Sequence, residues 1–147
     1  MSSANPDIER AVLAFSILAA GIGAILSPIP FADELVLVPV YGAMASKIAG
    51  ALKLGLRQAP WKPIARATLT GLAARATINL AFGFIPGVAA VANGTSAAVL
   101  TRLLGAYYEA VCVDPIGTAP LRFKNVIDAL RDMIRQARAK ASAAATA

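Results

Sequence analysis

An apolar run that prolines turn back constrains this chain more than any other feature. Ala11 to Ser27 contains no charged residue, and Pro28 and Pro30 follow it before a second apolar run begins at Asp33 and Glu34. Proline removes a backbone donor and fixes φ, so a helix through the first run must end there. The pattern predicts a helical hairpin with Pro28 and Pro30 at its turn and with the acids at the positive end of the second helix.

The same arrangement recurs in the second half of the chain. A third helix is predicted from about residue 64 to 84, Pro86 and Gly87 form the next turn, and a fourth helix extends to about residue 113. No apolar residues alternate with a period of two, so the predicted fold is all-α: two Pro-tipped hydrophobic hairpins in a four-helix bundle, plus a C-terminal amphipathic helix. The expected segments are a hydrophobic helical domain (1–113), a linker (114–120), a basic amphipathic helix (121–140) and a disordered tail (141–147).

Composition points toward lipid. The chain is 58% hydrophobic and 15% charged, whereas ordinary soluble domains are ~45–50% apolar and ~25% charged. The formal charge of +6 comes from few cations in separate segments, which favours an anionic membrane surface over nucleic acid. A soluble bundle with unusually buried helices, located in the cytoplasm, is the alternative.

Basic residues alternate with the predicted turns. The first turn, residues 28–34, has no lysine or arginine, and the second, residues 83–87, has no charge. By the positive-inside rule this pattern predicts four membrane passes with both termini cytoplasmic, and the two acids lie on the far side without a counter-charge. The residues expected to contact lipid or a partner are Lys53, Arg57, Lys62 and Arg66 in the connector and Arg131, Arg135 and Arg138 in the C-terminal helix.

One cation interrupts the third apolar run. Arg75 lies well inside it, where a charge at mid-bilayer costs at least ~2.5–3.5 kcal/mol and ordinarily faces protein or water. Arg75 therefore needs a partner, and Asn79 one turn later is the nearby polar candidate. An oligomeric pore or permeability factor that uses Arg75 is one alternative function.

Small residues recur every four positions on two of the predicted helices. Residues four apart share a helical face, and small side chains let backbones approach closely. Both faces are predicted to pack against helices of the same chain, with self-association into a homo-oligomer or soluble scaffold as the alternative. The faces are Gly42, Ser46 and Gly50 on the second helix and Ala90, Gly94 and Ala98 on the fourth.

The sequence gives little support to catalysis. Histidine is absent and Cys112 is the only cysteine, which removes the commonest general base and the imidazole zinc sites. No phosphate-binding glycine motif occurs. We therefore expect a non-enzymatic protein without a cofactor or a metal.

Two stretches resemble the hydrophobic helical domain of YcjF-type bacterial proteins, a domain also found after small GTPase domains. The resemblance implies membrane association, often with a GTPase on the same chain, and this chain departs from it because it has no nucleotide-binding half. We therefore expect a membrane anchor or adaptor in the bacterial inner membrane that contacts anionic lipid or a GTPase-type partner supplied by another chain. Phe31 replaces a usually small residue of the pattern. The matching residues are Pro28, Pro30, Ala32, Asp33, Met44, Ile48 and Gly50 in the first stretch and Ile85, Pro86, Gly87, Thr101, Arg102, Leu104, Gly105, Tyr107, Tyr108 and Glu109 in the second.

Overall fold

A computed structural model describes residues 5–29, 31–82, 88–117 and 119–146, apart from the side chains of residues 81, 82, 88, 119–121 and 145. The described residues form helices and no strand, which confirms the predicted all-α class. The predicted turn residues Pro30, Pro86 and Gly87 lie outside the described residues. The helices are α1 (Pro6–Ile25), α2 (Ala32–Ala51), α3 (Trp61–Phe82), α4 (Val88–Val113) and α5 (Ala119–Thr146).

Local signals begin and end the first helix. The Asn5 side chain accepts a hydrogen bond from the Asp7 N–H at 3.0 Å, and Pro6 occupies the first helical position, where its missing donor is harmless. Pro28 lies in the turn after α1. Phe31, the residue just before α2, has a φ of 62°, a left-handed conformation that bulky side chains rarely adopt.

The helix α2 begins at Ala32, inside the predicted first turn of residues 28–34. Asp33, which the sequence places at the hairpin turn and at the positive end of the second helix, lies with Glu34 in the first turn of α2. Pro39 lies inside α2, and the helix continues through it. The chain therefore reverses its direction before Asp33. Both carboxylates consequently lie in the bundle rather than at its tip.

The helix α4 is the centre of the bundle. It packs against each of the other helices, whereas α5 packs only on α3 and α4, and α1 and α2 lie on the other side, with no contact to α5 in the described ranges. We call the end that holds residues 52–60 the connector end, and the end where α1 passes into α2 the turn end. The bundle thus has two opposite sides, one formed by the α1–α2 hairpin and one by α5.

The last helix runs along the full height of the bundle. Near the connector end its Phe123 ring lies 6.1 Å from the Tyr107 ring. Near the turn end Ala137 packs beside Ile78. The helix continues to Thr146, past the predicted end near residue 140, in an alanine-rich segment whose helix propensity is high.

Two tyrosines anchor the centre of the core. Tyr41 and Tyr108 are fully buried. The Thr101 hydroxyl donates to the Tyr41 oxygen at 3.4 Å, and the hydroxyls of Thr68 and Tyr108 share a short hydrogen bond. Burial raises the pKa of both phenols, so each remains a neutral partner for its threonine.

Glycines allow the closest helix approaches. A Cβ on Gly105 of α4 would lie 2.6 Å from Cγ2 of Val12 on α1. A Cβ on Gly71 of α3 would lie 2.7 Å from Cδ1 of Leu100 on α4. Both distances are below 3.0 Å, so a side chain at either glycine would displace its neighbour where α4 meets α1 and α3.

The two small-residue faces have different surroundings. On α4, a Cβ at Gly94 would lie 3.1 Å from the Ala20 carbonyl oxygen, so this face packs on α1. On α2, a Cβ at Gly42 or Gly50 would meet nothing within 4 Å, and the Ser46 hydroxyl turns back to the Gly42 carbonyl at 3.0 Å. The α2 face therefore points outward and does not contribute to packing within the chain.

We expect Gly105→Ala to lower the free energy of unfolding by about 1–3 kcal/mol, because the new methyl group overlaps Val12. Gly42→Ala is the matched control. It adds a methyl group in open space and should raise the free energy by about 0.5–1 kcal/mol through helix propensity. Urea unfolding followed by circular dichroism measures both. Similar effects of the two substitutions would contradict the α1–α4 packing.

Candidate functional site

Between residues 11 and 46 the α1–α2 hairpin has an outer surface without charge, whereas Asp7, Glu9, Arg10 and Lys47 are exposed on α1 and α2 outside that span. Between Ala11 and Ser46 the only charged residues are Asp33 and Glu34, and these are 2% and 8% exposed. Their side chains point into the bundle, so none of the exposed side chains in this span is ionised. We call the exposed part of this surface the hairpin face; its large apolar members are Leu13, Ile17, Leu18, Ile25, Ile29, Phe31, Leu35, Val36 and Val38.

The hairpin face is too open to belong to an ordinary core helix pair. Ile17, Ile25 and Leu35 are 66%, 77% and 75% exposed, and only 22% of the apolar stretch of α1 is buried. Of the described helices, α1 and α2 are the two that are long and apolar enough to cross a membrane by length and composition. Exposed apolar surfaces of this kind are rare in monomeric soluble proteins and mark contacts with a membrane or another protein.

Arg75 lies beneath the hairpin face and binds both acids. Its Nη2 is 2.6 Å from Oδ2 of Asp33, and its Nη1 is 3.2 Å from Oε1 of Glu34. Nη2 also donates to the Asn93 carbonyl at 3.1 Å, and the Asn79 amide donates to Glu34. We call these five residues the ion-pair cluster; they join α2, α3 and α4 in one buried network.

The first helix closes over this cluster at a glycine. A Cβ at Gly23 would lie 2.7 Å from Nη2 of Arg75 and 2.7 Å from the Asn93 carbonyl oxygen. Any side chain there would push the guanidinium out of its contacts. Gly23 therefore lets α1 cover the ion pairs, and all four helices of the bundle meet at Arg75.

The two acids share one guanidinium and have unequal pKa values. Burial raises the pKa of Glu34 to about 7, and the adjacent Asp33 adds to this rise. Burial acts in the same direction on Asp33, but its interactions with Glu34 and with Arg75 outweigh it and lower its pKa. Below neutral pH the cluster therefore holds one carboxylate, one carboxylic acid and one guanidinium, which is close to neutral as a unit.

The charge pattern predicts that Asp33 and Glu34 face water on the far side of the membrane. In the structure they do not, because both are buried. Both turn inward because Arg75 supplies the counter-charge. Arg75 lies 41 residues after Glu34 in the chain. Asn79, the expected partner of Arg75, bonds to Glu34 and reaches Arg75 only through it. A buried ion needs such partners to avoid a desolvation penalty of several kcal/mol.

The connector places basic side chains at one end of the bundle. Lys53, Arg57, Lys62 and Arg66 are exposed there, but the Arg66 guanidinium carbon lies 4.7 Å from the centre of the Phe123 ring, so Arg66 also holds α5 in place. Trp61 adjoins them, 37% exposed, with its indole N–H donating to the Leu56 carbonyl.

The C-terminal cations are not gathered at that end. Arg131 and Arg135 pair with Asp128 and Asp132 on the exposed side of α5, each at 3.6 Å, and Arg138 is also exposed. Because α5 runs along α3 and α4, these cations line the side of the bundle opposite the hairpin face. This differs from the expectation of one basic cytoplasmic end, since sequence shows the stripe of α5 but not the helices it covers.

The described residues contain no group of three His, Cys, Asp or Glu side chains that could hold a metal ion. Cys112 is buried, and burial raises the pKa of its thiol, which disfavours the reactive thiolate. The site thus has two parts. The hairpin face offers apolar contact on the outside, and the ion-pair cluster neutralises the buried charges beneath it.

Comparisons with protein-family models, with curated proteins and with solved structures found no match to this chain. The resemblance to the YcjF-type domain therefore stays a prediction.

We expect Arg75→Leu to lower the free energy of unfolding by about 3–5 kcal/mol, because it leaves buried carboxylates without a counter-charge. A triple variant, Arg75→Met with Asp33→Asn and Glu34→Gln, should recover most of this loss. Arg102→Met, at an exposed position, should change stability by less than about 0.5 kcal/mol. Denaturant titration distinguishes these outcomes, and no recovery in the triple variant would contradict charge neutralisation.

Stability should depend on pH through Glu34. The unfolded chain releases this proton near the ordinary value of 4.5, whereas the folded chain keeps it to about 7. The free energy of unfolding contributed by Glu34 is therefore fully present below pH 4.5 and falls as the pH rises toward 7. The lowered pKa of Asp33 acts in the opposite sense below 3.8, outside this range. Glu34→Gln should flatten the slope between pH 5 and 7; an unchanged slope would contradict the assignment.

Proposed function

We propose that this protein is a non-enzymatic, membrane-associated helical protein that places the hairpin face against lipid acyl chains and serves as an anchor or adaptor. The observation that carries the proposal is the uncharged outer surface between residues 11 and 46, with the two acids of that span withdrawn onto Arg75. Monomeric soluble proteins rarely expose a contiguous apolar surface of this kind, and such surfaces mark membrane or protein interfaces.

The energetics favour lipid contact over exposure to water. Fully burying a Val, Leu, Ile or Phe side chain stabilises by roughly 1.5–3 kcal/mol, and nine such side chains are at least 42% exposed on this surface. An ionised carboxylate among them would oppose insertion by several kcal/mol. The ion-pair cluster removes that opposition and so supports the membrane role directly.

The position of α5 favours a bundle that lies in one leaflet over one that crosses the bilayer. If all four helices crossed, Arg131, Arg135 and Arg138 would enter the hydrocarbon, at about 2.5–3.5 kcal/mol or more for each charge. With the hairpin face in lipid, α5 on the opposite side of the bundle faces water instead. Its charged surface is then available to a cytoplasmic protein, for which the sequence resemblance suggests a GTPase.

The connector supplies electrostatic attraction in this arrangement. Lys53, Arg57 and Lys62 are exposed beside Trp61, whose ring has the amphipathic character typical of membrane–water interfaces. Each basic residue near an anionic surface adds about 1 kcal/mol of attraction. We therefore place the connector end at the lipid headgroups, most favourably on the anionic cytoplasmic leaflet of a bacterial inner membrane.

A second candidate function is self-association into a soluble scaffold. The outward face of α2 supports it, because Gly42 and Gly50 have open space above them and a second helix could approach closely there. A pore that uses Arg75 has less support, since this side chain is 1% exposed and is bound within its own chain.

We expect the protein to float with phosphatidylglycerol vesicles in a density gradient. Ile17→Glu with Leu35→Glu should reduce the bound fraction at least tenfold, because both charges enter the lipid-contacting surface. Gln136→Glu with Ala139→Glu is the matched control, since both residues are exposed on α5, on the side of the bundle opposite the hairpin face. Circular dichroism should show that all variants keep their helices.

The same assay tests the orientation. Lys53→Gln, Arg57→Gln and Lys62→Gln together should weaken flotation with anionic vesicles and reduce its salt dependence. The matched α5 triple, Arg131→Gln, Arg135→Gln and Arg138→Gln, should leave both unchanged. Flotation that follows the α5 charges would contradict the orientation, and a discrete oligomer without flotation would favour the scaffold.

A further inference from the structure

A groove runs between α1 and α4 on the outside of the bundle. Its volume is about 490 Å³, within the ~300–1,000 Å³ range of small-molecule sites. Its floor is formed where Gly94 brings α4 close to the Ala20 backbone. Ala24, Ala98 and Val91 line its walls, and Arg102 lies at the end nearer the connector.

The charge in this groove is at one end only. Between Val88 and Thr101 the helix α4 carries no ionisable residue, and the α1 residues that line the groove are alanines. Arg102 is exposed and its side chain makes no ion pair or hydrogen bond within the described part of the chain. The groove thus combines a long apolar surface with one available cation.

The length of the groove matches one lipid chain. Arg102 lies eleven helical steps after Val91, which at 1.5 Å per step is about 16.5 Å. Two opposed acyl chains fill the ~30 Å hydrocarbon core, so one acyl chain is roughly 15 Å long, whatever its direction. An acyl chain that starts at Arg102 would therefore reach the Val91 end of the groove.

We propose that the groove between α1 and α4 binds one anionic phospholipid, with an acyl chain along the alanine-lined wall and the headgroup phosphate at Arg102. Guanidinium groups pair with phosphate oxygens through two parallel hydrogen bonds. The groove also adjoins the hairpin face through α1, so a lipid there is continuous with the surrounding leaflet. This inference rests on the proposed membrane association and adds a specific lipid site to it.

A second copy of the chain fits the groove less well than a lipid does. A helix seated there would bury Arg102 unless it brought an acid to the same position, and an unpaired charge in an interface is costly. A lipid supplies the apolar chain and the negative group in one molecule. Charge complementarity therefore favours the lipid, and a second copy is an outcome that the experiment must detect.

Native mass spectrometry of the detergent-solubilised protein tests the proposal. Phosphatidylglycerol and phosphatidylcholine with identical acyl chains are titrated separately, and bound lipids are counted. The wild-type protein should bind one phosphatidylglycerol at least tenfold more tightly than phosphatidylcholine. Thr95→Leu and Ala98→Leu, which fill the groove, should each weaken phosphatidylglycerol binding at least tenfold. Ala106→Leu, at an exposed α4 position beyond Arg102, is the matched control and should have no effect.

Arg102→Gln should bring the affinities for the two lipids within about threefold of each other while keeping the apolar binding. Equal affinity of the wild-type protein for both lipids, or equal losses in Thr95→Leu and Ala106→Leu, would overturn the proposal. A dimer that Thr95→Leu dissociates would also overturn it and assign the groove to a second copy. Vesicle flotation is measured in parallel: normal flotation with no selective lipid binding refutes the groove alone, whereas one-to-one binding without flotation refutes the proposed membrane role alone.

Discussion

The pairing of Arg75 with Asp33 and Glu34 is the interaction on which the rest of the structure depends. It connects three helices directly, and Gly23 brings the fourth against the same guanidinium. A buried ion pair is weak evidence of stability in itself, because desolvation offsets most of the attraction. Its value here is positional: a neutral cluster fixes how α2, α3 and α4 meet, since removing either partner leaves a buried charge.

The same cluster determines the character of the surface. Two acids lie at the beginning of an apolar helix, where they favour helix formation through the dipole, yet neither appears on the outside of the hairpin. The hairpin face is therefore uncharged because Arg75 holds both carboxylates inside the bundle. A surface that contacts lipid through residues 11–46 has no exposed ion to desolvate, while α5 keeps its charges on the other side.

Local signals in the sequence predict the helices well and their surroundings poorly. The Asn5 cap, Pro28 and the apolar run give the bounds of α1 closely, because capping and proline act over a few residues. The direction of the acids depends on Arg75, far along the chain, and no local rule gives it. Gly42 and Gly94 sit in equivalent small-residue patterns, but one faces open space and the other a neighbouring backbone. The amphipathic pattern of the C-terminal helix likewise does not show that α3 and α4 are the helices it packs on.

The left-handed backbone at Phe31 has a consequence for how independent the hairpin is. A bulky residue held at a φ of 62° carries about 1–3 kcal/mol of strain, which any splayed arrangement of α1 and α2 would release. The turn therefore does not close the hairpin by itself. Since α1 packs more extensively on α4 than on α2, the hairpin is held shut by the rest of the bundle. The hairpin is therefore not a separable module, and its excision or transfer to another protein would lose the packing that turns Asp33 and Glu34 inward and leaves its outer face apolar.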